Sequence, residues 1–98
     1  MDNDERVEII IIDVTEIKTS KELHAIIKEE LDFPIFYGMN WDAFWDTITG
    51  LVELPEKLVI SGWDKLVKVL PNDTEIMKRF LDKFNEDYPS WKCTVEYK

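Results

Sequence analysis

Hydrophobic residues recur along this chain with two different periods, and these periods predict strands and helices in alternation. The first run, Val7 to Val14, is centred on four consecutive isoleucines and predicts a strand that is covered on both faces. Residues 19–22 then fit a capping box, and apolar residues follow at helical spacing. This pattern predicts a first helix over about residues 20–32.

A second helix is predicted from Trp41 to about Gly50, with Asn40 as its N-cap. Its apolar residues recur at i, i+3, i+4 and i+7, and we expect this stripe to be buried: Trp41, Phe44, Trp45, Ile48, Leu51 and Val52. At about 100° per residue, a separate ridge is acidic and polar, and it consists of Asp42, Asp46, Thr49 and Glu53. The helix therefore offers a core face and an acidic face.

The following segment predicts a short second strand at residues 58–61 and two further helices. Asp64 is placed to cap a brief helix over residues 65–70, and Pro71 is expected to stop that helix. A longer helix then starts at Asn72 or Asp73 and ends before the next proline.

The C-terminal residues 92–97 alternate, which predicts an edge strand with Cys93, Val95 and Tyr97 on one face. The order β-α-α-β-α-α-β places helices between consecutive strands and so favours parallel pairing. We predict a compact two-layer α/β fold, a three-stranded parallel sheet packed against helices, in a single domain over residues 1–98. Residues 1–6 are mostly charged and are expected to be frayed.

The composition supports one modest core and an acidic surface. The chain has 98 residues, 45% of them hydrophobic, which suffices for a domain without disulfides or a metal. Its net charge of −9 comes from 21 acidic and 12 basic residues. This charge disfavours nucleic acid and anionic membranes as partners and suits a basic protein.

Cys93 is the one cysteine, so an intramolecular disulfide is excluded and a reducing compartment fits. The N-terminus lacks the pattern of a signal peptide, and no apolar run approaches the roughly 18 residues of a membrane span. We therefore expect a cytoplasmic protein that does not enter the membrane.

The sequence offers little for catalysis. Its one histidine, His24, is expected on the surface of the first helix or partly packed. Asp42 and Asp46 could hold a metal ion or act as an acid/base pair, but no further carboxylate or histidine completes such a site. We predict no enzyme activity, no metal and no cofactor, with an acidic enzyme or metal protein as the least favoured alternative.

The acidic ridge has two interpretations. On the helix alone, a solvated face is the simpler one, with Asp42 favoured by the N-terminal end of the helix dipole. Aspartates at i and i+4 repel each other, however, and residues 31–55 contain no lysine or arginine to relieve them. An acidic and aromatic segment without a cation is what a surface for a basic partner requires.

The central motif resembles a known family. Phe33-Pro34-x-x-Tyr37-Gly38-x-Asn40-x-Asp42-Ala43-x-Trp45-Asp46, followed by Thr49-Gly50, is similar to the centre of the barstar family, inhibitors of the bacterial ribonuclease barnase. The resemblance extends over nearly the whole chain. It implies a two-layer α/β fold, no enzyme activity and a one-to-one complex with a basic ribonuclease or ribonuclease-like toxin, the free protein being a monomer.

The resemblance also implies roles for particular residues. Asp46 would occupy the position of an RNA phosphate, and Asp42 would pair with a second cation at the rim of the active site. An acidic contact on the last helix is Glu86 or, in another register, Asp82. The other residues that the resemblance places in the contact surface are Phe36, Tyr37, Asn40, Trp45, Thr49 and Gly50.

Three positions depart from the family pattern. Phe36 stands in place of a tyrosine, Met39 in place of an acidic residue, and Leu51 in place of a tryptophan of the interface. These departures motivate an alternative function, a non-inhibitory or immunity-type module that binds another basic protein or toxin.

Overall fold

A parallel sheet with helices packed against it organises residues 6–98, which are the residues that the computed structural model describes. The predicted order β-α-α-β-α-α-β is confirmed, with one short 3-10 helix added before the last strand. The elements are β1 (Ile9–Asp13), α1 (Ser20–Glu30), α2 (Trp41–Gly50), β2 (Lys57–Ser61), α3 (Trp63–Val69), α4 (Pro71–Asp87), the 3-10 helix (Pro89–Trp91) and β3 (Thr94–Tyr97).

The three strands lie in the order β1-β2-β3, with β2 in the centre and both pairings parallel. Leu58 of β2 lies between Ile10 of β1 and Val95 of β3. Parallel neighbours need a crossover connection, and here each crossover contains two α-helices, with the 3-10 helix added in the second. The sheet is therefore assembled entirely from contacts that are distant in sequence.

The sheet has one covered face and one open face, so the prediction that the first strand is covered on both faces is wrong. Ile12 is buried, whereas Ile9 and Ile11, which point to the opposite face, are exposed. Val59 on the open face is buried because β2 lies between two strands. The isoleucine run was misleading because a strand with one open face usually alternates apolar and polar residues, whereas here Ile9 and Ile11 on the open face are apolar as well.

The hydrophobic core lies between the covered face of the sheet and the helices. The helix stripes predicted from the period supply much of it, including Leu23 and Ile27 of α1 and Phe44 of α2. α4 contributes Met77 and Leu81. The amphipathic pattern therefore identified the buried side of these helices, apart from the C-terminal end of α2.

The boundaries of α3 and α4 differ from the predicted ones. α3 begins at Trp63, after Gly62 in the left-handed conformation (φ 89°), so Asp64 does not cap it. A side chain on Gly62 would approach the Thr15 hydroxyl to 2.7 Å, which explains the glycine. Pro71 follows the end of α3 and is also the first residue of α4. At this position the missing backbone N–H of proline removes no hydrogen bond of the helix.

Arg6 is the first described residue and makes several hydrogen bonds; the other residues of the segment predicted to be frayed, 1–5, lie outside the described residues. Its guanidinium donates to the carbonyl oxygens of Leu54, Pro55, Trp91 and Lys92 at 3.0–3.1 Å. One side chain therefore joins the segment before β2 to the segment before β3.

The C-terminus of α1 is closed by a backbone motif that requires a left-handed residue. The N–H of Phe33 donates to the carbonyl of Lys28 at 2.9 Å, and the N–H of Asp32 donates to that of Glu29 at 3.4 Å. Asp32, between these bonds, has φ 56°. Glycine is the usual residue in this Schellman motif, because a side chain is strained at positive φ.

We expect Asp32→Gly to raise the free energy of unfolding by about 0.5–1 kcal/mol, because it relieves the left-handed strain and removes a negative charge from a helix C-terminus. Urea denaturation at pH 7 measures the change. Asp32→Asn is the matched control, since it removes the charge and keeps the side chain. An equal gain from both variants would assign the whole effect to charge and contradict the strain argument.

Candidate functional site

The loop before α2 presents two apolar side chains to solvent. Phe33 and Tyr37 are buried at either end of the loop, and the Tyr37 N–H donates to the Pro34 carbonyl at 2.9 Å. Between them Ile35 and Phe36 are 89% and 72% exposed. The two buried rings hold the turn, and the turn projects the two apolar side chains outward.

Asn40 connects this loop to α2 through both the oxygen and the nitrogen of its side-chain amide. Its Oδ1 accepts from the N–H of Ala43 at 2.7 Å, which caps the helix as predicted. Its Nδ2 donates to the carbonyl of Gly38 at 3.1 Å. The preceding residue, Met39, has φ 57°. The path of the chain into α2 is therefore defined by local hydrogen bonds.

The acidic ridge is on the surface of α2. Asp42 and Asp46 are exposed, one helical turn apart, and the partly buried ring of Trp45 lies beside them. Asp42, Trp45 and Asp46 surround a shallow depression of about 420 Å³ together with two residues of α4, Phe80 and Lys83. α4 therefore forms the other side of the candidate site.

Lys83 brings a cation to the ridge that the sequence around α2 does not show. Its Nζ lies 5.8 Å from the centre of the Trp45 ring and 3.1 Å from Oδ2 of Asp87. Residues 31–55 contain no lysine or arginine, but the tertiary structure brings Lys83, which follows Asp46 by 37 positions, to the ridge. A partner that meets the ridge must also accommodate this lysine.

The orientation of α4 bears on which of its acids faces the site. At about 100° per residue, Glu86 lies about 60° around the helix from Lys83, and Asp82 lies about 100° away in the same sense. Burial and, after it, the charge of Asp82 raise the pKa of Tyr97 to about 12, so Asp82 is close to β3. Glu86 is thus nearer than Asp82 to Lys83 around the helix, and the contact role of either acid remains a prediction.

Tyr37 and His24 form a buried pair, which corrects the placement of His24 on the surface of the first helix or partly packed there. His24 is 1% exposed, and its Nδ1 lies 2.7 Å from the Tyr37 hydroxyl. Its ring also packs against Trp41, with centroids 4.3 Å apart. Burial lowers the pKa of His24, and the charge of Asp73 partly opposes this.

A second polar contact orients α2. The indole Nε1–H of Trp41 donates to Oδ1 of Asp73 at 2.8 Å, and the hydroxyl of Ser20 donates to the same oxygen at 3.0 Å. Asp73 lies in the first turn of α4 and Ser20 opens α1. The carboxylate of Asp73 therefore joins the N-terminal ends of three helices, and the ridge on α2 is positioned by this junction.

The end of α2 departs from the predicted stripe. Leu51 is 56% exposed, so its assignment to the buried face is wrong; the helix ends at Gly50 and Leu51 turns outward as the C-cap residue. Trp41 and Trp45 are partly buried and pack against the core rather than inside it. A Cβ on Gly50 would meet nothing within 4 Å, so the fold itself gives no reason for a glycine there.

Most of the sequence-predicted contact residues are gathered on one side of α2 or in its preceding loop. Of these, Tyr37 has a buried side chain, and Trp45 and Thr49 are partly buried. The exposed ones are Phe36, Asn40, Asp42, Asp46, Gly50 and, on α4, Glu86. The structure adds two residues to this candidate surface that the sequence did not indicate: Ile35, which lies in a loop without hydrophobic periodicity, and Lys83, which is distant in sequence.

Within residues 6–98, no cluster of three or more His, Cys, Asp or Glu side chains is arranged to bind a metal ion. No helix in this part of the chain has both the length and the apolar composition needed to cross a membrane.

The fold and this surface define a small acidic α/β protein with two exposed aspartates on α2 and two exposed apolar side chains in the loop before it. Residues 7–96 match the family described as Barstar (barnase inhibitor), so this chain belongs to the barstar family. The resemblance inferred from the central motif is thereby confirmed.

A relative is found in Bacillus subtilis (strain 168), where the protein is named "Putative ribonuclease inhibitor YrdF". It is 46% identical to this chain over 55 residues, which are 56% of this chain and 60% of the relative. The shared segment therefore spans less than two thirds of that protein.

We expect the stability of the protein to fall as the pH drops below 6.5, the usual pKa of histidine. The native pKa of His24 is lowered, so the unfolded chain binds a proton first and the unfolded state gains stability until the native pKa is passed. Urea denaturation at pH 7.5 and pH 5.5 measures this loss.

His24→Gln should reduce this pH dependence between pH 7.5 and 5.5, because it removes the one imidazole of the chain. Tyr37→Phe is the matched control: it removes the hydrogen bond and keeps the buried ring of His24, so the pH dependence should persist. An unchanged slope in His24→Gln would show that other groups are responsible.

Proposed function

We propose that this protein binds and inhibits a ribonuclease in a one-to-one complex, acting as a plug for a basic active site. Membership of the barstar family and the name of the Bacillus relative support an inhibitor of this class. The observation that carries the proposal is the pair of exposed aspartates on α2, one helical turn apart, beside an exposed apolar loop.

The chemistry of a ribonuclease active site explains why carboxylates suit it. Such a site presents cationic side chains to an RNA phosphate, and a carboxylate can accept paired N–H bonds from a guanidinium in the same position. We assign this role to Asp46 and a second cation contact to Asp42. Inhibition then needs no chemical step, which agrees with a protein that acts by binding and not as an enzyme.

The surrounding residues would supply the rest of the contact surface. Phe36 and Ile35 project from the loop and offer apolar area, and Trp45 offers an aromatic face. Tyr37 contributes indirectly, because its buried ring holds the loop that carries Phe36. Glu86 would complete the acidic rim from α4.

The net charge of −9 gives the encounter its electrostatic character. A negative surface attracts a basic partner over about 8 Å at physiological salt, and this attraction weakens as salt rises. We therefore propose fast, salt-sensitive association. We also propose that the free protein is a cytoplasmic monomer. Burial raises the pKa of its Cys93 thiol to about 11.

A second function is favoured by specific features of this surface. Lys83 places a cation directly beside the acidic ridge, and Leu51 and Phe36 depart from the family pattern. A partner other than a barnase-type ribonuclease, such as another basic toxin, would fit such a modified surface. Failure to inhibit a barnase-type ribonuclease, together with binding to a basic protein without ribonuclease activity, would favour this function.

We expect Asp46→Ala to weaken inhibition of a barnase-type ribonuclease by a factor of about 30 or more, as for an interface residue worth about 2 kcal/mol. Its stability should change by less than about 0.5 kcal/mol, because Asp46 is exposed and lies off the core stripe. RNA cleavage at a series of inhibitor concentrations measures the first effect and thermal unfolding the second.

Asp64→Ala is the control for Asp46→Ala, since it removes the same charge from α3 and leaves α2 unchanged. Equal losses from both variants would mean that only net charge matters and would contradict the phosphate-mimic role of Asp46. No inhibition by the unmodified protein would reject the ribonuclease proposal itself.

Gly50→Ala tests the stability of the protein and its binding to a partner separately, because the two effects are expected to have opposite signs. Glycine in a helix is less stable than alanine by about 0.5–1 kcal/mol, and the space around Gly50 is open, so the variant should unfold at a higher temperature. If a partner packs closely on Gly50, the same methyl group should weaken inhibition several-fold. A more stable variant that inhibits as well as the original would remove Gly50 from the contact surface.

A further inference from the structure

Three large hydrophobic side chains that the fold leaves exposed surround one groove at the C-terminal end of α2. Leu51, Tyr88 and Trp91 are 56%, 39% and 43% exposed. The groove between them has a volume of about 360 Å³, and Gly50 and Glu53 also line it. Isolated apolar side chains on a surface are ordinary, but a group of them around a concavity is typical of a binding site.

The aromatic walls of the groove are held in place by contacts within the protein. The Tyr88 ring packs against the buried Phe84 ring, with centroids 5.2 Å apart. Arg6 places its guanidinium 5.7 Å from the centre of the Trp91 ring and donates to the Trp91 carbonyl at 3.1 Å. Walls that are already ordered lose little conformational freedom when a partner binds.

The groove continues the surface to which partner binding is proposed. The ten residues of α2 extend over only about 15 Å, whereas a stable protein interface needs about 800 Å² and 20–30 residues on each side. A partner seated on Asp46 must therefore contact residues beyond the helix. Thr49 and Gly50 belong to both the ridge side of α2 and the lining of the groove.

The charge around the groove favours a basic occupant. Glu53 lines it, and Glu86 lies two residues before Tyr88, whereas Asp87 between them is paired with Lys83. Arg6, the cation beside Trp91, already donates to four carbonyl groups. A second copy of this chain is disfavoured because each copy carries a net charge of −9.

We infer that this groove receives an apolar side chain of the basic partner, next to a lysine or arginine that faces Glu53. This inference rests on the proposed function, since the partner is the ribonuclease bound at the ridge. The groove supplies a short-range apolar anchor, while the aspartates of α2 supply the long-range attraction. The two contributions differ in their response to salt, which makes them separable.

The test uses Leu51→Ala and Tyr88→Ala in the full chain, titrated against a barnase-type ribonuclease at low and at high salt. Each variant should weaken inhibition about 10-fold, and by the same factor at both salt concentrations, because apolar contacts are not screened. Asp46→Ala should lose less at high salt. Val69→Ala, which trims an exposed apolar residue on α3, is the matched control and should inhibit normally.

The outcomes separate this inference from the function on which it rests. If the unmodified protein inhibits and both groove variants inhibit within twofold of it, the groove proposal is wrong and the proposed function stands. If the unmodified protein neither inhibits nor binds, the function is wrong and the groove proposal falls with it. A dimer in sedimentation that Leu51→Ala dissociates would also overturn it, because the occupant would be a second copy.

A photo-crosslinking residue placed at position 51 checks the chemistry of the occupant. A crosslink to an apolar residue with a neighbouring lysine or arginine on the ribonuclease supports the inference. A crosslink to an acidic or uncharged polar segment, or none in a complex that forms normally, overturns it.

Discussion

The contact between the Tyr37 hydroxyl and the His24 imidazole is the interaction on which the proposed binding surface depends. It lies in the core, 2.7 Å long, and joins α1 to the loop that precedes α2. The adjacent Trp41 ring packs at a tilt against the same imidazole, and its indole N–H donates to Asp73 of α4. Polar groups buried in this way are costly unless paired, so they permit few alternative arrangements of the loop and helix.

This junction separates residues that stabilise the fold from residues that remain available to bind a partner. Tyr37 and Phe33 are used in the core, and the loop between them therefore presents Ile35 and Phe36 to solvent. In the same way, the buried side of α2 leaves Asp42 and Asp46 on the surface. Repulsion between like charges and exposure of apolar area both slightly raise the free energy of the free protein. A basic partner that covers this surface would relieve both.

Much of the fold and part of the site could be predicted because the signals are local. The 3.6-residue period, the capping box at Thr19 and the Asn40 cap depend on neighbours within one helical turn, so helix positions and buried faces followed from the sequence. The burial of His24, the approach of Lys83 to Trp45 and the anchoring of Arg6 depend on residues far along the chain. A period gives no information about such contacts.

The sequence by itself determined the order of strands and helices, the acidic ridge of α2 and the likeness of its central motif to the barstar family. Only the tertiary structure decided that β1 has an open face, that Tyr37 is a core residue and that Lys83, Tyr88 and Trp91 lie beside α2. The physical reason is the range of the forces involved. Helix formation and capping act between residues a few positions apart, whereas burial and the meeting of charges depend on which elements pack together.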